Sequence, residues 1–173
     1  MHPRELFRLR NSVVPIAVAL FVAWTTCTFA AGDPLPKSGT ASIHSGWSSS
    51  GQLKDLGDGH AISPGVYWGT SFNDAGKGFL HQMAWTCPGV TIIYNGSYVL
   101  HGYCVFTDSD GDKIYGTSEG KGPAEGLDLV GVVNYEGGTG KYRGIQGSHT
   151  YKCRGIGTEG QAFCRQEASY RLP

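Results

Sequence analysis

Charge of either sign is scarce and balanced in this chain of 173 residues: 14 Lys and Arg face 14 Asp and Glu, for a formal net charge of zero. With no basic run, the sequence offers no electrostatic footprint for nucleic acid or for an anionic membrane surface. Helical periodicity is also missing. No stretch sustains an apolar repeat of 3.6, and nearly every apolar run beyond residue 30 is short and bounded by Gly, Asp, Asn or Pro. That argues against helix bundles and helix-covered sheets. There is no Cys-x-x-Cys pair. His44, His60, His81, His101 and His149 show neither His-x-His nor His-x-x-x-His spacing. Compact zinc sites are thereby disfavoured, and the histidines read as surface or rim residues unless separate strands assemble a metal site. The one long apolar run, residues 13–24, falls short of the ~20 residues a membrane-spanning helix needs.

That run has the pattern of an export leader. Arg4, Arg8 and Arg10 form a basic head, and Thr28 and Ala30 stand at the −3 and −1 positions of a cut before Ala31. Residues 1–30 read as a signal peptide, 31–39 as a loose arm carrying Pro34 and Pro36, and 40–173 as one domain, the protein being secreted or periplasmic. All 27 glycines lie beyond the leader, far above the typical ~7%. Glycine this dense, with aromatics in short runs, points to an all-β domain with many tight turns.

The sequence centres on residues 134–151. The apolar run 127–133 leads in, Gly137, Gly138 and Gly140 supply a reversal, and strand formers return from Tyr142. Gly144 and Gly147 suggest bulges or close backbone approach. Further strands are expected over 40–47, 66–72, 79–87, 90–94, 97–107, 113–118 and 162–171. The polar stretch 48–64 reads as a long loop, and 119–126 as a flexible connection. Eight or nine consecutive antiparallel strands favour an up-and-down barrel, which leaves no exposed sheet edge.

Beyond the leader four cysteines remain, Cys87, Cys104, Cys153 and Cys164. An even number in an exported chain suggests two disulfides. Asn95-Gly96 signals a two-residue type I′ turn, and if Tyr94 faces Ser97 across it, Cys87 falls opposite Cys104. Cys153 and Cys164 can be opposed across the glycine-rich reversal 155–160. The expected pairs are therefore Cys87–Cys104 and Cys153–Cys164, each adding on the order of 2–3 kcal/mol.

The run Gly137-Gly138-Thr139-Gly140-Lys141-Tyr142-Arg143-Gly144-Ile145-Gln146-Gly147 resembles the glycine hairpin of the allene oxide cyclase and dirigent barrels. The turn Asp108-Ser109-Asp110-Gly111-Asp112 is similar to turns in small secreted bacterial proteins of that type. The resemblance implies a calycin-like barrel of eight strands with an apolar lumen, in which a reactive hydrophobic intermediate is steered towards cyclisation or coupling.

Other motifs have plainer readings. Gly116-Thr117-Ser118-Glu119-Gly120 matches the nucleophile-elbow pattern, but Gly122 and Pro123 follow where a helix must start. Asp108, Asp110, Asp112 and Glu119 imitate a calcium loop, yet Lys113 stands at the sixth position and the flanks are strands, so a hairpin turn is expected. Lys141 lacks a following Ser or Thr, which removes a phosphate loop. Asn95-Gly96-Ser97 is a glycosylation sequon only on a eukaryotic secretory route.

Strand aromatics carry what functional signal there is. One face of the 97–107 strand holds Val99, His101, Tyr103 and Val105, and the other Tyr98, Leu100, Cys104 and Phe106. Both are apolar enough to line a lumen. The reading favours the His101/Tyr103 face, because pockets combine apolar walls with a few polar groups. Trp85, Tyr94, His101, Tyr103 and Tyr135 are then the expected ligand-binding residues, unless the rings fill a solid core. The first functional reading is a barrel binding a small hydrophobic molecule, with no cofactor or metal. The second is a cyclase or isomerase, with Glu136, His101 and Tyr103 as catalytic candidates. The third is an envelope interaction protein contacting its partner through 48–64.

Overall fold

A computed structural model describes residues 35–125, 128–156 and 160–173. All of them lie in the compact unit Asp33–Pro173. The leader reading of residues 1–30 lies outside the described residues, as does the first part of the arm reading.

Nine strands follow one another: β1 Ser38–Gly51, β2 Lys54–Gly57, β3 His60–Asn73, β4 Met83–Tyr94, β5 Ser97–Thr107, β6 Lys113–Pro123, β7 Leu129–Gly138, β8 Gln146–Ile156 and β9 Gln161–Arg171. A 3₁₀ turn, Gly140–Tyr142, joins β7 to β8. Neighbours in sequence pair antiparallel from β3 to β9, and β1 pairs with both β9 and β3. Eight strands thus close into the expected up-and-down barrel, and the short β2 is a ninth that, among the described residues, pairs with β3 alone. The two ends of the barrel wall meet: Leu172 donates its N–H to the Lys37 carbonyl at 2.6 Å.

The β4–β5 hairpin has the expected register. Asn95 and Gly96 both take positive φ, 50° and 70°, as a type I′ turn requires. Tyr94 faces Ser97, Ile92 faces Val99 and Trp85 faces Phe106. Cys87–Cys104 and Cys153–Cys164 are both bonded, with Cα atoms 4.1 and 4.0 Å apart.

Several expected boundaries are corrected. Ser38 and Gly39 belong to β1 and not to an arm. The expected loop 48–64 is largely strand, since β1 runs on to Gly51, pairing with β3 as far as Gly65, and β2 folds back on β3. Ladder bonds need only backbone, and these residues, largely exposed, carry no apolar alternation to betray them. Residues 119–123 likewise extend β6. Conversely, 79–82 is a loop: Leu80 and Gln82 have φ of 58° and 53°. Its Phe79 and Leu80 are buried as a plug, held by Asn73 Nδ2 donating to the Phe79 carbonyl (2.9 Å) and Ser71 Oγ donating to the Leu80 carbonyl (2.8 Å). β8 starts at Gln146, so Tyr142 and Ile145 lie in the β7–β8 connection, buried against the core. Gly147 does mark a close approach, because a Cβ there would sit 2.2 Å from the Ser169 carbonyl oxygen.

The core is the barrel interior, and inward glycines shape it. A Cβ on Gly131 would lie 2.3 Å from the Tyr151 ring and 2.2 Å from the Glu119 carbonyl oxygen, and one on Gly120 would lie 2.5 Å from the Tyr151 hydroxyl. The bare backbone of β6 and β7 is what admits this ring. Overpacking of a full site costs about 1–3 kcal/mol. Gly131→Ala should therefore lower the unfolding free energy by that order and with it the urea midpoint, whereas Gly46→Ala, whose Cβ meets nothing within 4 Å, should leave the midpoint unchanged or higher. Equal midpoints for both variants would refute this account of the interior.

Candidate functional site

The barrel axis holds a cavity of ≈ 60 Å³ to which all eight barrel strands contribute. Its walls are mainly apolar: Trp47, Tyr67, Trp85, Leu100, Phe106, Leu129 and Val133. All four disulfide cysteines line it as well. Both cross-links therefore lie inside the barrel, where alternation places every second residue of β4, β5, β8 and β9.

The polar groups on this wall are few and mostly paired. Trp47 Nε1 donates to Cys164 Sγ at 3.0 Å. Tyr151 donates its hydroxyl to the Glu119 carbonyl at 3.0 Å, leaving Ser118 Oγ, 3.2 Å away, to donate to the Tyr151 oxygen. Gln166 Nε2 donates to Ser45 Oγ at 2.7 Å. Among the described residues that line the cavity, two buried atoms have no partner, Trp85 Nε1 and Gln166 Oε1. Turning the Gln166 amide over would only exchange which of its two groups is unpaired. Either way, two polar groups on residues that line the cavity are left unsatisfied, at a cost of about 1–3 kcal/mol each.

His149 is fully enclosed, with its Nδ1 3.0 Å from the Tyr135 hydroxyl and its ring edge-on to Phe106. Burial pushes the imidazole down to about 3, so it is neutral at ordinary pH. Burial likewise pushes the Tyr151 hydroxyl up to about 12 and raises Tyr135. Among the described residues no Asp or Glu lines the cavity.

The expected lumen face is corrected. His101 and Tyr103 point outwards, Tyr103 being 45% exposed, while Tyr98, Leu100, Cys104 and Phe106 point in. A signal for this was present one strand away. β6 alternates Gly116, Ser118 and Gly120 with Thr117, Glu119 and Lys121, and His101 pairs with Glu119. The face that carries the charges must be the wet one. Of the expected ligand residues, Trp85 lines the cavity. Tyr135 is buried nearby, edge-on to Phe79. Tyr94 lies outside, 40% exposed and stacked on His60. Glu136 is also outside, accepting a 3.0 Å bond from Thr117 Oγ1. His101, Tyr103 and Glu136 therefore do not meet in the lumen. The expected rim position of the histidines fails for His149, because a lone His in a strand carries no sign of which face it takes. Gln166, Tyr67 and Trp47 also went unmarked by any motif.

The acidic turn is a turn. Asp108 Oδ1 accepts from the N–H groups of Asp110 and Asp112, at 2.9 and 3.0 Å. Lys141 Nζ lies 2.7 Å from both Asp108 and Asp110, where a cation would sit in a calcium loop. Burial opposes charge on Asp108, but the Lys141 ammonium outweighs it and holds the carboxyl below its usual range. Ser118 lies in mid-strand, without the strand-to-helix turn of a nucleophile elbow. Among the described residues no three His, Cys, Asp or Glu side chains gather closely enough to hold a metal ion.

The enclosed imidazole has a pH consequence. Unfolded, His149 titrates near its ordinary value of 6.5; folded, near 3. Between these values the unfolded chain binds the extra proton, so stability is full above about 6.5 and falls as pH drops towards 3, by up to about 1.4 kcal/mol per pH unit. His149→Gln, which can still accept from Tyr135, should flatten the stability–pH curve between pH 6 and 4 in chemical denaturation. An unchanged slope would show that this imidazole is not held neutral.

No protein-family model matches the chain, and no curated protein matches it. Among solved structures, the chain is similar to one titled as a pterocarpan synthase dirigent protein, at 13% identity and a TM-score of 0.48, over 86% of this chain and 100% of that one.

Proposed function

We propose that this protein is an exported barrel that takes a compact, mostly apolar molecule into its lumen. One observation carries the reading: the barrel axis keeps a void, and two of the residues on its wall, Trp85 and Gln166, each hold a buried polar atom without a partner. Apolar walls with a few convergent polar groups are what a small-molecule site requires. Two disulfides and the leader-like first 30 residues support an oxidising compartment.

Size limits the ligand. The cavity, ≈ 60 Å³, is smaller than the ~150 Å³ void that admits benzene in an engineered protein core. A larger guest requires Tyr67 or Trp85, both only half-buried, to swing aside. The cyclase or isomerase reading has less support. General acid–base chemistry works best with a group titrating near the operating pH, and the wall offers a neutral imidazole and a phenol raised to about 12. Binding, carriage or storage fits better than turnover. The interaction reading keeps one point of support, exposed Leu53 and Leu56 beside and on β2.

Xenon, benzene and indole, added singly in a thermal-shift assay, test the proposal. At least one should raise Tm in proportion to the logarithm of its concentration above Kd. The effect should vanish in Val133→Phe, which fills the lumen. No shift with any of the three would sink the proposal.

A further inference from the structure

The β4–β5 seam of the barrel wall has a ladder that breaks in mid-strand. Backbone pairing runs from Ala84/Thr107 to Thr86/Val105, stops, and resumes at Gly89/Gly102. Pro88 is the cause. A proline has no N–H to give, and in a strand paired on both sides that loss falls within a ladder. Here it falls towards β5, since the pairing of Pro88 with Val66 of β3 is intact. The next inward pair, Gly89 and Gly102, has no side chains to meet across the seam. From Cys87 to Gly89 the inner side-chain tie between the two strands is therefore the Cys87–Cys104 disulfide. Among the described residues the other barrel seams pair without such a gap, β6–β7 with a register shift at Tyr115/Gly116. The break also borders the lumen, because Cys87, Gly102 and Cys104 all line the cavity. A guest moving lengthwise would meet the 79–82 plug from one end. From the other it would meet Tyr67, hydrogen-bonded to the Thr91 hydroxyl, and Tyr98, which donates to the Asp128 carbonyl at 3.2 Å.

We propose that the wall opens at this β4–β5 seam, that Cys87–Cys104 is the latch limiting the opening, and that small guests enter and leave the lumen there. The last part rests on the reading of the lumen as a binding site; the first two do not. The second disulfide supplies an internal comparison. Cys153–Cys164 lines the same cavity, but it joins β8 to β9 within a ladder that runs unbroken from Gln146/Arg171 to Ile156/Gln161. In strand order the two cross-links stand on opposite walls, with β6 and β7 between them one way round and β1 and β3 the other. By chain entropy alone they are nearly equivalent, because separations of 17 and 11 residues differ only through a logarithm. They differ in what remains when each is removed. Hydrogen bonds still hold β8 to β9, whereas β4 and β5 face each other through a proline and two glycines. Local opening is set by the bonds that remain.

The test uses the full chain and two rates: xenon exchange between lumen and water, read by xenon NMR, and hydrogen exchange at the amides of Tyr103 and Val105. Replacing the latch by Cys87→Ala with Cys104→Ala should speed both by on the order of tenfold or more, while Cys153→Ala with Cys164→Ala should leave both within about threefold of the parent. Both pairs of substitutions remove sulfur from the same cavity wall, so the added space is common to them. Pro88→Val keeps both disulfides and restores a donor opposite the Tyr103 carbonyl, so it should slow both rates below the parent's. Equal acceleration by the two pairs, or no slowing in Pro88→Val, would overturn the latch; where a doubly substituted chain does not fold, Pro88→Val alone decides. Xenon exchange that ignores these changes while the amides respond would overturn the passage of guests through the seam. Should xenon fail to enter even the parent, guest passage falls together with the lumen reading, and the amide rates still judge whether the seam opens.

Discussion

The structure depends on β1 being hydrogen-bonded along both flanks, to β9 on one side and β3 on the other. A sheet of eight strands joined by hairpins would otherwise present two raw edges. Closure by this single strand defines an inside, and having an inside gives every other residue of each strand a common destination. The disulfides, the plug formed by 79–82, the neutral imidazole and the cavity are all consequences of that enclosure.

Within the enclosure, ring and glycine are complementary. Eight strands leave an interior just wide enough to be filled by side chains, and this chain fills it with large ones. The Tyr151 ring lies against Gly120 and Gly131, Trp85 against Gly69, and Tyr98 against Gly122. High glycine content is usually read as turns, and several glycines here do sit in turns. Those on the inner face of β6 and β7 serve instead as space. In the same core cluster as Met83 and Ile114, the Phe79 ring is stacked on Tyr170 at 4.0 Å. The axial cavity lies where the cysteines and Trp85 meet.

Strand number, antiparallel order, hairpin register and both disulfides were legible in the sequence, because each rests on local chemistry: alternation, an Asn-Gly turn, and cysteines at equal distance from it. The identity of the inner face was not legible from β5 alone, since both its faces are apolar. It needed the partner strand, where Glu119 and Lys121 mark the wet side. The extension of β1 and β3 into 48–64 was hidden because ladder pairing there owes little to side chains. The burial of His149 and Gln166 was hidden for the opposite reason, since isolated polar residues on an inner face look like any others until the barrel closes. Leu80 and Gln82 take left-handed backbone that their side chains disfavour, and the plug is held by hydrogen bonds from Ser71 and Asn73 that no short-range pattern announces.

The meeting of Lys37 with Leu172 and Pro173 has a consequence for the order of the strands. Leu172 N–H bonds the Lys37 carbonyl, and Lys37 Nζ reaches the Pro173 carbonyl at 2.6 Å. The wall is a ring in space that the polypeptide happens to enter at β1 and leave at β9. Strand numbering here records synthesis, and in the closed ladder no strand is structurally first.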